Sequence, residues 1–399
     1  MSILVQKFGG SSMATPESRQ GALRHILEAK ERGLDLVVVV SAMGRKGAPY
    51  ATDTLLSLGL ASCSQLPPRE KDLLLSCGET ISAAVMAGEI TSAGYQARAL
   101  TGGQAGILTD ARYGSADCLF VDTTQLLSLL KDGIIPVVAG FQGMTREGDI
   151  TTLGRGASDY TAALLATALK AEGVEIYTDV NGIMTADPRV VTGARVLPSV
   201  SYSEVFQLAD QGAAVIHPRA VETAMQANIP MFIRNTLSDH PGTRIAADAL
   251  YSTQNAGNII TSITLMQDRA QLTCVEKQDG NIEKLLSRLA DQHISIDLIN
   301  IFPEKVVFTI ESHNLSCAVS LCGEIGFSTS VLEACTKVSC VGHRMRGVPG
   351  VMARIAAALR SADIPILQTA DSHMTISCLV PAEKGPRAVE VLHYTFSLG

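Results

Sequence analysis

The 399-residue chain contains no tryptophan, and aromatic residues make up only 4% of it. Surfaces on which bases stack are therefore scarce, and a formal charge of -7 offers nothing to attract a polyanion. We expect no nucleic-acid partner. No apolar run approaches the roughly 20 residues that span a bilayer. Met1 to Phe8 passes straight into a strand-like pattern, with no charged leader or cleavage signal. No membrane association and a cytoplasmic location are expected. The nine cysteines are odd in number and form no CxxC pair. Cys77, Cys274, Cys335 and Cys378 sit in apolar patterns and are expected to be reduced. HExxH and other metal-ligand spacings are absent, as are GxxxxGK[ST] and a GxGxxG after the first strand. A resident metal and a dinucleotide-binding oxidoreductase are thereby disfavoured.

What is present suits large α/β cores: 46% hydrophobic and 18% charged residues, in a chain long enough for two or three domains. Ile3 to Phe8 and Leu36 to Ser41 have the β-branched, nearly unbroken apolar character of buried parallel strands. Between them Thr15 is placed to cap a helix with Pro16 at its first position, Leu23, Ile26 and Leu27 form its inner stripe, and Gly33 ends it. Pro136 to Ala139 and Glu175 to Thr178 give two further strands. Each strand is followed by a loop rich in glycine and polar residues, and in open α/β sheets ligands gather at the carboxyl ends of the strands.

Those loops carry the chemistry. Lys7-Phe8-Gly9-Gly10-Ser11-Ser12 combines a cation with two glycines that let backbone approach a phosphate, or it is only a tight turn. Ser41 to Gly44 and the Thr52-Asp53 pair lie near the same mouth or are ordinary loop residues. Glu79, in Ser76-Cys77-Gly78-Glu79-Thr80, precedes an apolar helix; it complements that helix's dipole or receives an ammonium group. In Thr152-Leu153-Gly154-Arg155-Gly156-Ala157-Ser158-Asp159, an arginine between glycines opens a helix, where it can clamp a carboxylate while Asp159 faces an ammonium. The alternative is a surface ion pair. Thr178-Asp179 and Thr185-Ala186-Asp187-Pro188-Arg189 suit adenosine and phosphate contacts, although Asp187 before proline is also a turn residue. His217, before Pro218 at a helix start, is expected to be structural.

After about residue 245 the pattern changes to a weak repeat: Gln271–Glu276, Ile282–Asp291, Ser295–Ile301, Val306–Glu311, Ala318–Ile325 and Ser330–Ala334, then Lys337–Gly342, Val351–Ser361, Pro365–Thr369, Met374–Val380 and Ala388–Phe396. The first set has the order of a ferredoxin-like βαββαβ unit and the second follows it as far as βαββα, a weak repeat of two such units. The expected domains are 1–245, 264–335 and 336–399.

Taken in order, KFGGSS, SAMGRKG, SCGET, GFQG, TLGRGASD, YTDVNGIMTADPR and GAAVIHPRAVE resemble the aspartokinase family, and the C-terminal pair resembles its tandem ACT domains. The resemblance implies an α/β fold: a three-layer amino-acid kinase sandwich with a mainly parallel sheet, followed by two ACT domains. It implies an ATP-dependent phosphotransferase acting on the side-chain carboxylate of L-aspartate, with Mg²⁺ brought by ATP. By residue, it implies that Lys7, Gly9, Gly10 and Ser11 cradle phosphates, and that Glu79, Arg155 and Asp159 hold aspartate, helped by Thr52 and Ser158. It further implies that Thr178, Asp179, Thr185, Asp187 and Arg189 line the nucleotide site. Lys7, Arg155 and Asp159 are the expected catalytic set.

Regulation is expected in the repeat. Val348, Gly350 and Val351 open a helix, and Gln368, Asp371 and Ser372 lie on the neighbouring strand end, with Asp279 and Asp297 in comparable positions of the first repeat. TADSHMTI and MRGVPGVMARI look most like the diaminopimelate-sensitive isozyme, which implies meso-diaminopimelate as the expected effector, with lysine or threonine as alternatives. A homo-oligomer through the ACT domains is implied. The chain departs from the family pattern at Ala157, usually glycine, and at Ala214, usually lysine. The second departure keeps a non-catalytic amino-acid sensor as the rival function.

Overall fold

The computed structural model describes residues 2–213, 216–247, 259–276, 282–343, 345 and 348–399. The chain divides into two compact units. Met1–Ile183, Val196–Phe206 and Val215–Asn255 make the first; Met184–Arg195, Gln207–Ala214 and Ala256–Gly399 make the second.

The first unit opens with β1 (Ile3–Phe8), buried along its whole length, followed by the single turn α1 (Gly10–Met13) and by α2 (Pro16–Glu31). Thr15 and Ser18 cap α2 reciprocally: Thr15 Oγ1 accepts the Ser18 N–H at 3.2 Å and Ser18 Oγ accepts the Thr15 N–H at 3.0 Å. Gly33, at φ +79°, lets the chain leave that helix. Next come β2 (Asp35–Val40), α3 (Thr52–Ser62), α4 (Pro68–Ser92), β3 (Ala97–Leu100), β4 (Ile107–Thr109), β5 (Cys118–Val121) and α5 (Thr124–Lys131). Then follow β6 (Ile135–Ala139), β7 (Gln142–Met144), β8 (Ile150–Thr152), α6 (Ser158–Leu169), β9 (Gly173–Thr178), β10 (Ser199–Ser201), α7 (Tyr202–Asp210), α8 (Pro218–Ala227), β11 (Met231–Asn235) and β12 (Thr243–Ala246).

Eight of these strands form one sheet in the order β10-β12-β11-β9-β1-β2-β6-β3, parallel at every step except β11 with β12. Strand alternation sorts β1 between two layers. Leu4 and Phe8 pack with Ala22 and Ile26 of α2 and Met86 and Ile90 of α4, whereas Lys7 reaches α6 on the opposite face. The result is the expected α/β/α sandwich. α4 has the length and hydropathy of a membrane span, but Ala83, Met86 and Ile90 are core residues against β2 and β6. A second, four-stranded sheet, β5-β4-β7-β8, ends at the segment that leads into α6.

In the second unit β13 (Ser262–Glu276), α9 (Ile282–Asp291), β14 (Ile299–Phe302), β15 (Lys305–Glu311), α10 (Leu315–Ile325), β16 (Phe327–Val341), α11 (Val351–Ser361), β17 (Gln368–Asp371), β18 (Thr375–Pro381) and α12 (Gly385–Thr395) share one sheet, ordered β14-β15-β13-β16-β18-β17. The expected strands Ser330–Ala334 and Lys337–Gly342 are one continuous β16, kinked where Ala334 takes φ +52°. β13 is bent to match, with Asp268 at φ +56° and register shifts on either side of Arg269. The halves beyond the kinks serve different repeats. Gln271–Glu276 pairs with Phe327–Leu332 over α9 and α10, and Ser262–Met266 pairs with Lys337–Val341 on the side of α11 and α12. The second repeat therefore takes its fourth strand from residues preceding the first, and a boundary at 335/336 falls inside β16.

The segment Met184–Arg195 also departs from expectation. It lies within the expected kinase region, yet Ala186 and Val191 are buried in the core built by Val389 and Leu392 of α12. Two apolar residues of this loop find their partners some 200 positions downstream.

Candidate active site

Lys7 lies next to last on β1, is buried, and its Nζ stands 2.6 Å from Asp159 Oδ1 in the first turn of α6. The other Asp159 oxygen accepts the His217 N–H at 3.2 Å. Gly154 and Gly156, at φ +98° and +75°, form the reversal between β8 and α6 that brings Asp159 there. Ala157, by contrast, has φ −74° and is fully buried, so the methyl that departs from the family pattern fits an ordinary backbone conformation. Ser158 is buried beside Asp159.

The loop after β1 is fixed on both sides. The Gly9 N–H donates to the Tyr177 carbonyl at 3.1 Å, and the Gly44 N–H donates to the Gly10 carbonyl at 2.9 Å. A β-carbon on Gly10 would stand 2.8 Å from the Gly44 carbonyl oxygen and 2.9 Å from that of Ala42. Gly10→Ala must therefore push two backbone loops apart. We expect an ATP KM raised at least about tenfold with about 1–3 kcal/mol of stability lost, measured by ATP saturation kinetics and urea unfolding.

Glu79 is in the interior of α4, not near a helix start, so it neither caps that helix nor answers its dipole. It is buried, and Oε1 accepts the Ala42 N–H at 3.2 Å, with the Thr52 hydroxyl close enough to favour the carboxylate's charge. Oε2 is buried with no partner among the described residues. Burial, only partly offset by those hydrogen bonds, pushes the Glu79 pKa up to about 7. Gly78 allows this approach, because a β-carbon there would lie 2.7 Å from the Tyr50 carbonyl oxygen. Arg155 is 78% exposed, with Nη1 2.9 Å from Asp53 Oδ1 in the first turn of α3. An exposed pair of this kind is worth under about 1 kcal/mol, which leaves the guanidinium available to a ligand.

The expected nucleotide residues divide between the units. Thr178 ends β9 and Asp179 follows it in the first unit, where Asp179 pairs with Arg45 at 2.6 Å. Thr185, Asp187 and Arg189 lie on the segment that belongs to the second unit. Thr185 is buried, its hydroxyl 2.8 Å from His393 Nε2 and accepting the Arg195 N–H, so it is not available to a nucleotide. Asp187 is held by Arg189, whose guanidinium lowers its pKa. His217 has the structural role expected of it: Nδ1 accepts the Arg219 N–H at the start of α8, and burial lowers its pKa. Two contributors escaped sequence reasoning, Asp72 of α4 and Arg219, which donates to the Leu153 carbonyl and to Asp117. An acid and an arginine on helices look like solvated surface, and only the fold shows their partners. Ala214 lies outside the described residues.

In the second unit Val348, Gly350 and Val351 at the start of α11 line a cavity of about 420 Å³ together with Thr369, Asp371 and Ser372. Gln368, expected with them, is instead buried within the sheet, accepting from Gln271 and donating to Asn300. Asp297 pairs with buried Lys337 at 2.6 Å, leaving its second oxygen buried and unpartnered among the described residues. Asp279 lies outside the described residues. No cluster of three metal-ligating side chains occurs among the described residues.

The first unit thus offers a buried Lys7–Asp159 pair at the end of β1, a buried acid, Glu79, on α4, and an exposed arginine, Arg155, held by a surface pair with Asp53. Comparison with known proteins identifies the family. The amino acid kinase family model matches residues 2–235 and an ACT domain model matches 330–394. The chain is 45% identical to aspartokinase 1 of Bacillus subtilis across the full length of both. It is similar to the structure of E. coli aspartokinase III in complex with aspartate and ADP (TM-score 0.80, 25% identity, covering 99% of this chain and 100% of that one). The complex of that enzyme with lysine and aspartate is equally similar, with TM-score 0.80, 25% identity and the same coverage. The chain belongs to the aspartokinases, ATP-using kinases of aspartate within the amino acid kinase family that carry ACT domains.

Proposed function

We propose that the chain transfers the γ-phosphate of ATP to the β-carboxylate of L-aspartate, giving 4-phospho-L-aspartate, in the pocket bounded by Lys7, Glu79, Arg155 and Asp159. The observation that carries this is the buried Lys7–Asp159 pair at the carboxyl end of β1, together with Glu79 on α4, whose Oε2 is buried and unpartnered among the described residues. Ionised Glu79 receives the α-ammonium of aspartate, which completes its empty hydrogen-bonding capacity. Arg155 exchanges Asp53 for the α-carboxylate, a bidentate partner that surface Asp53 does not provide. Thr52 and Ser158 border the same pocket. Lys7 and the backbone at Gly9, Gly10 and Ser11 face the phosphates, with Thr178 and Asp179 toward the nucleoside.

The nucleophile is already anionic, so no general base is needed, and the work left to the protein is alignment and charge neutralisation. Mg²⁺ would arrive with ATP as part of the substrate Mg–ATP and would supply positive charge at the phosphates. Asp159 orients Lys7 and keeps the cation from folding onto the aspartate carboxylate.

The second unit is proposed as the sensor. The cavity at the start of α11 offers the α11 backbone to a carboxylate and Asp371 to an ammonium, a match for an amino acid such as meso-diaminopimelate, lysine or threonine. Exposed Ile301 and Phe302 on edge strand β14 support self-association through this sheet. The test is ADP release by purified protein with Mg–ATP and aspartate, with each of the three effectors in turn. Aspartate-dependent release suppressed by one effector is expected. Release independent of aspartate, or none, overturns the assignment, and an effector response unchanged by Asp371→Asn removes the cavity from it.

A further inference from the structure

Asp72 is fully buried on α4, yet no cation pairs with it among the described residues. Its charge is met by three donors: the Thr152 N–H at 2.7 Å and the Gly114 N–H at 2.8 Å on Oδ2, and the Thr152 hydroxyl at 2.9 Å on Oδ1. A buried carboxylate is expensive unless its oxygens are fully engaged. Both backbone N–H groups converge on Oδ2, so an acceptor must stand there; asparagine would keep an acceptor for them but forfeit the charge that strengthens both bonds.

The location of those donors gives the arrangement its meaning. Thr152 is the last residue of β8, and three residues later comes Arg155 on the glycine-flanked reversal into α6. Seven residues beyond Asp72, two turns and about 10 Å along the same helix, is Glu79. The β7–β8 hairpin is tied to α4 at two further points, Arg69 to Asp149 at 2.7 Å and Gln142 Nε2 to the Ser76 carbonyl at 3.0 Å. Of the three ties, the Asp72 bond is the one at the end of the hairpin that feeds the arginine loop.

We propose that Asp72 is a positioning residue for aspartate, setting the distance between the carboxylate clamp Arg155 and the ammonium acceptor Glu79 by locking the end of β8 to α4. The proposal rests on the assignment of Arg155 to the substrate carboxylate. It assigns to Asp72 no contact with substrate and no part in binding ATP.

The test is a double-mutant cycle with Asp72→Asn and Arg155→Ala, read in the KM of each substrate. Arg155→Ala alone checks the underlying assignment: an unchanged aspartate KM refutes that assignment, and this proposal with it. Given a raised KM in that variant, Asp72→Asn in the native background should raise the aspartate KM about 10- to 100-fold with the ATP KM within about twofold. In the Arg155→Ala background it should add less than about twofold, because the group it positions is gone. A buried acid with a purely structural role gives another pattern, a lowered Tm with unchanged KM values or equal effects in both backgrounds, and either overturns the proposal. Should Asp72→Asn fail to fold, Thr152→Val, which removes only the hydroxyl donor, decides by the same cycle with a smaller shift of the same sign. Thr152→Ser should restore the native KM.

Discussion

Lys7→Met is expected to lower kcat by at least about 1000-fold at saturating Mg–ATP and aspartate, equivalent to roughly 4 kcal/mol of transition-state stabilisation. Methionine keeps the length and most of the volume of the side chain but not the charge. The loss has two parts. The phosphoryl group being transferred loses a cation held in a buried, preorganised position. Asp159, 2.6 Å from the ammonium in the native chain, is left as an uncompensated negative charge facing the incoming phosphates. The same uncompensated charge should cost stability, by about 3 kcal/mol or more. Lys7→Met/Asp159→Asn separates the two effects: it should recover much of the stability, measured by urea unfolding, and none of the turnover. A variant that restored turnover would show that the lysine serves folding alone.

The pH dependence of aspartate use should carry the signature of Glu79. Its pKa is raised to about 7, principally by burial, from an ordinary value of 4.5. Between those two values the folded chain holds a proton that the unfolded chain has released. The stability associated with Glu79 is therefore fully present below pH 4.5 and is lost as pH rises through 7. Function runs the other way, because an ammonium ligand requires the ionised form. We expect kcat/KM for aspartate to rise about tenfold per pH unit below 7 and to level off above it, since this quantity reports the free enzyme. Glu79→Gln should abolish that ascending limb and raise the aspartate KM roughly 30- to 100-fold, as expected for a lost charged partner. The ATP KM should stay within about twofold. The same variant should be more stable than the native chain above pH 7. A profile of unchanged shape in Glu79→Gln would remove Glu79 from the substrate.

Local rules served well where the determinants lie close together in the chain. The Thr15 cap, Pro16 and Gly33 bound α2 as their chemistry dictates, and β1 spans the residues its apolar run marks out. The loops after β1, β2 and β8 were recognisable because glycine and charge concentrate there. Glu79 reads as lying near a helix start because Gly78, a weak helix former, stands directly before it, whereas α4 runs unbroken through both from Pro68 to Ser92. Asp72 was invisible for the opposite reason: an acid one turn into a helix is ordinarily solvated, and its partners Gly114 and Thr152 are 42 and 80 residues away. The kinks at Asp268 and Ala334 put non-glycine residues at positive φ, a conformation that tertiary pairing imposes and local sequence does not announce. No local signal reveals that the loop around Thr185 packs with the second unit, because its buried partners lie on the C-terminal helix.

The most direct test is hydroxylamine trapping. Purified protein with Mg–ATP, L-aspartate and hydroxylamine should form aspartate β-hydroxamate in step with ADP, identified against the authentic β-isomer, and Lys7→Met should form almost none. That result would establish an acyl phosphate on the side-chain carboxylate, made in the site at the end of β1. Formation of the α-isomer, ADP without hydroxamate, or full activity in Lys7→Met would contradict the account.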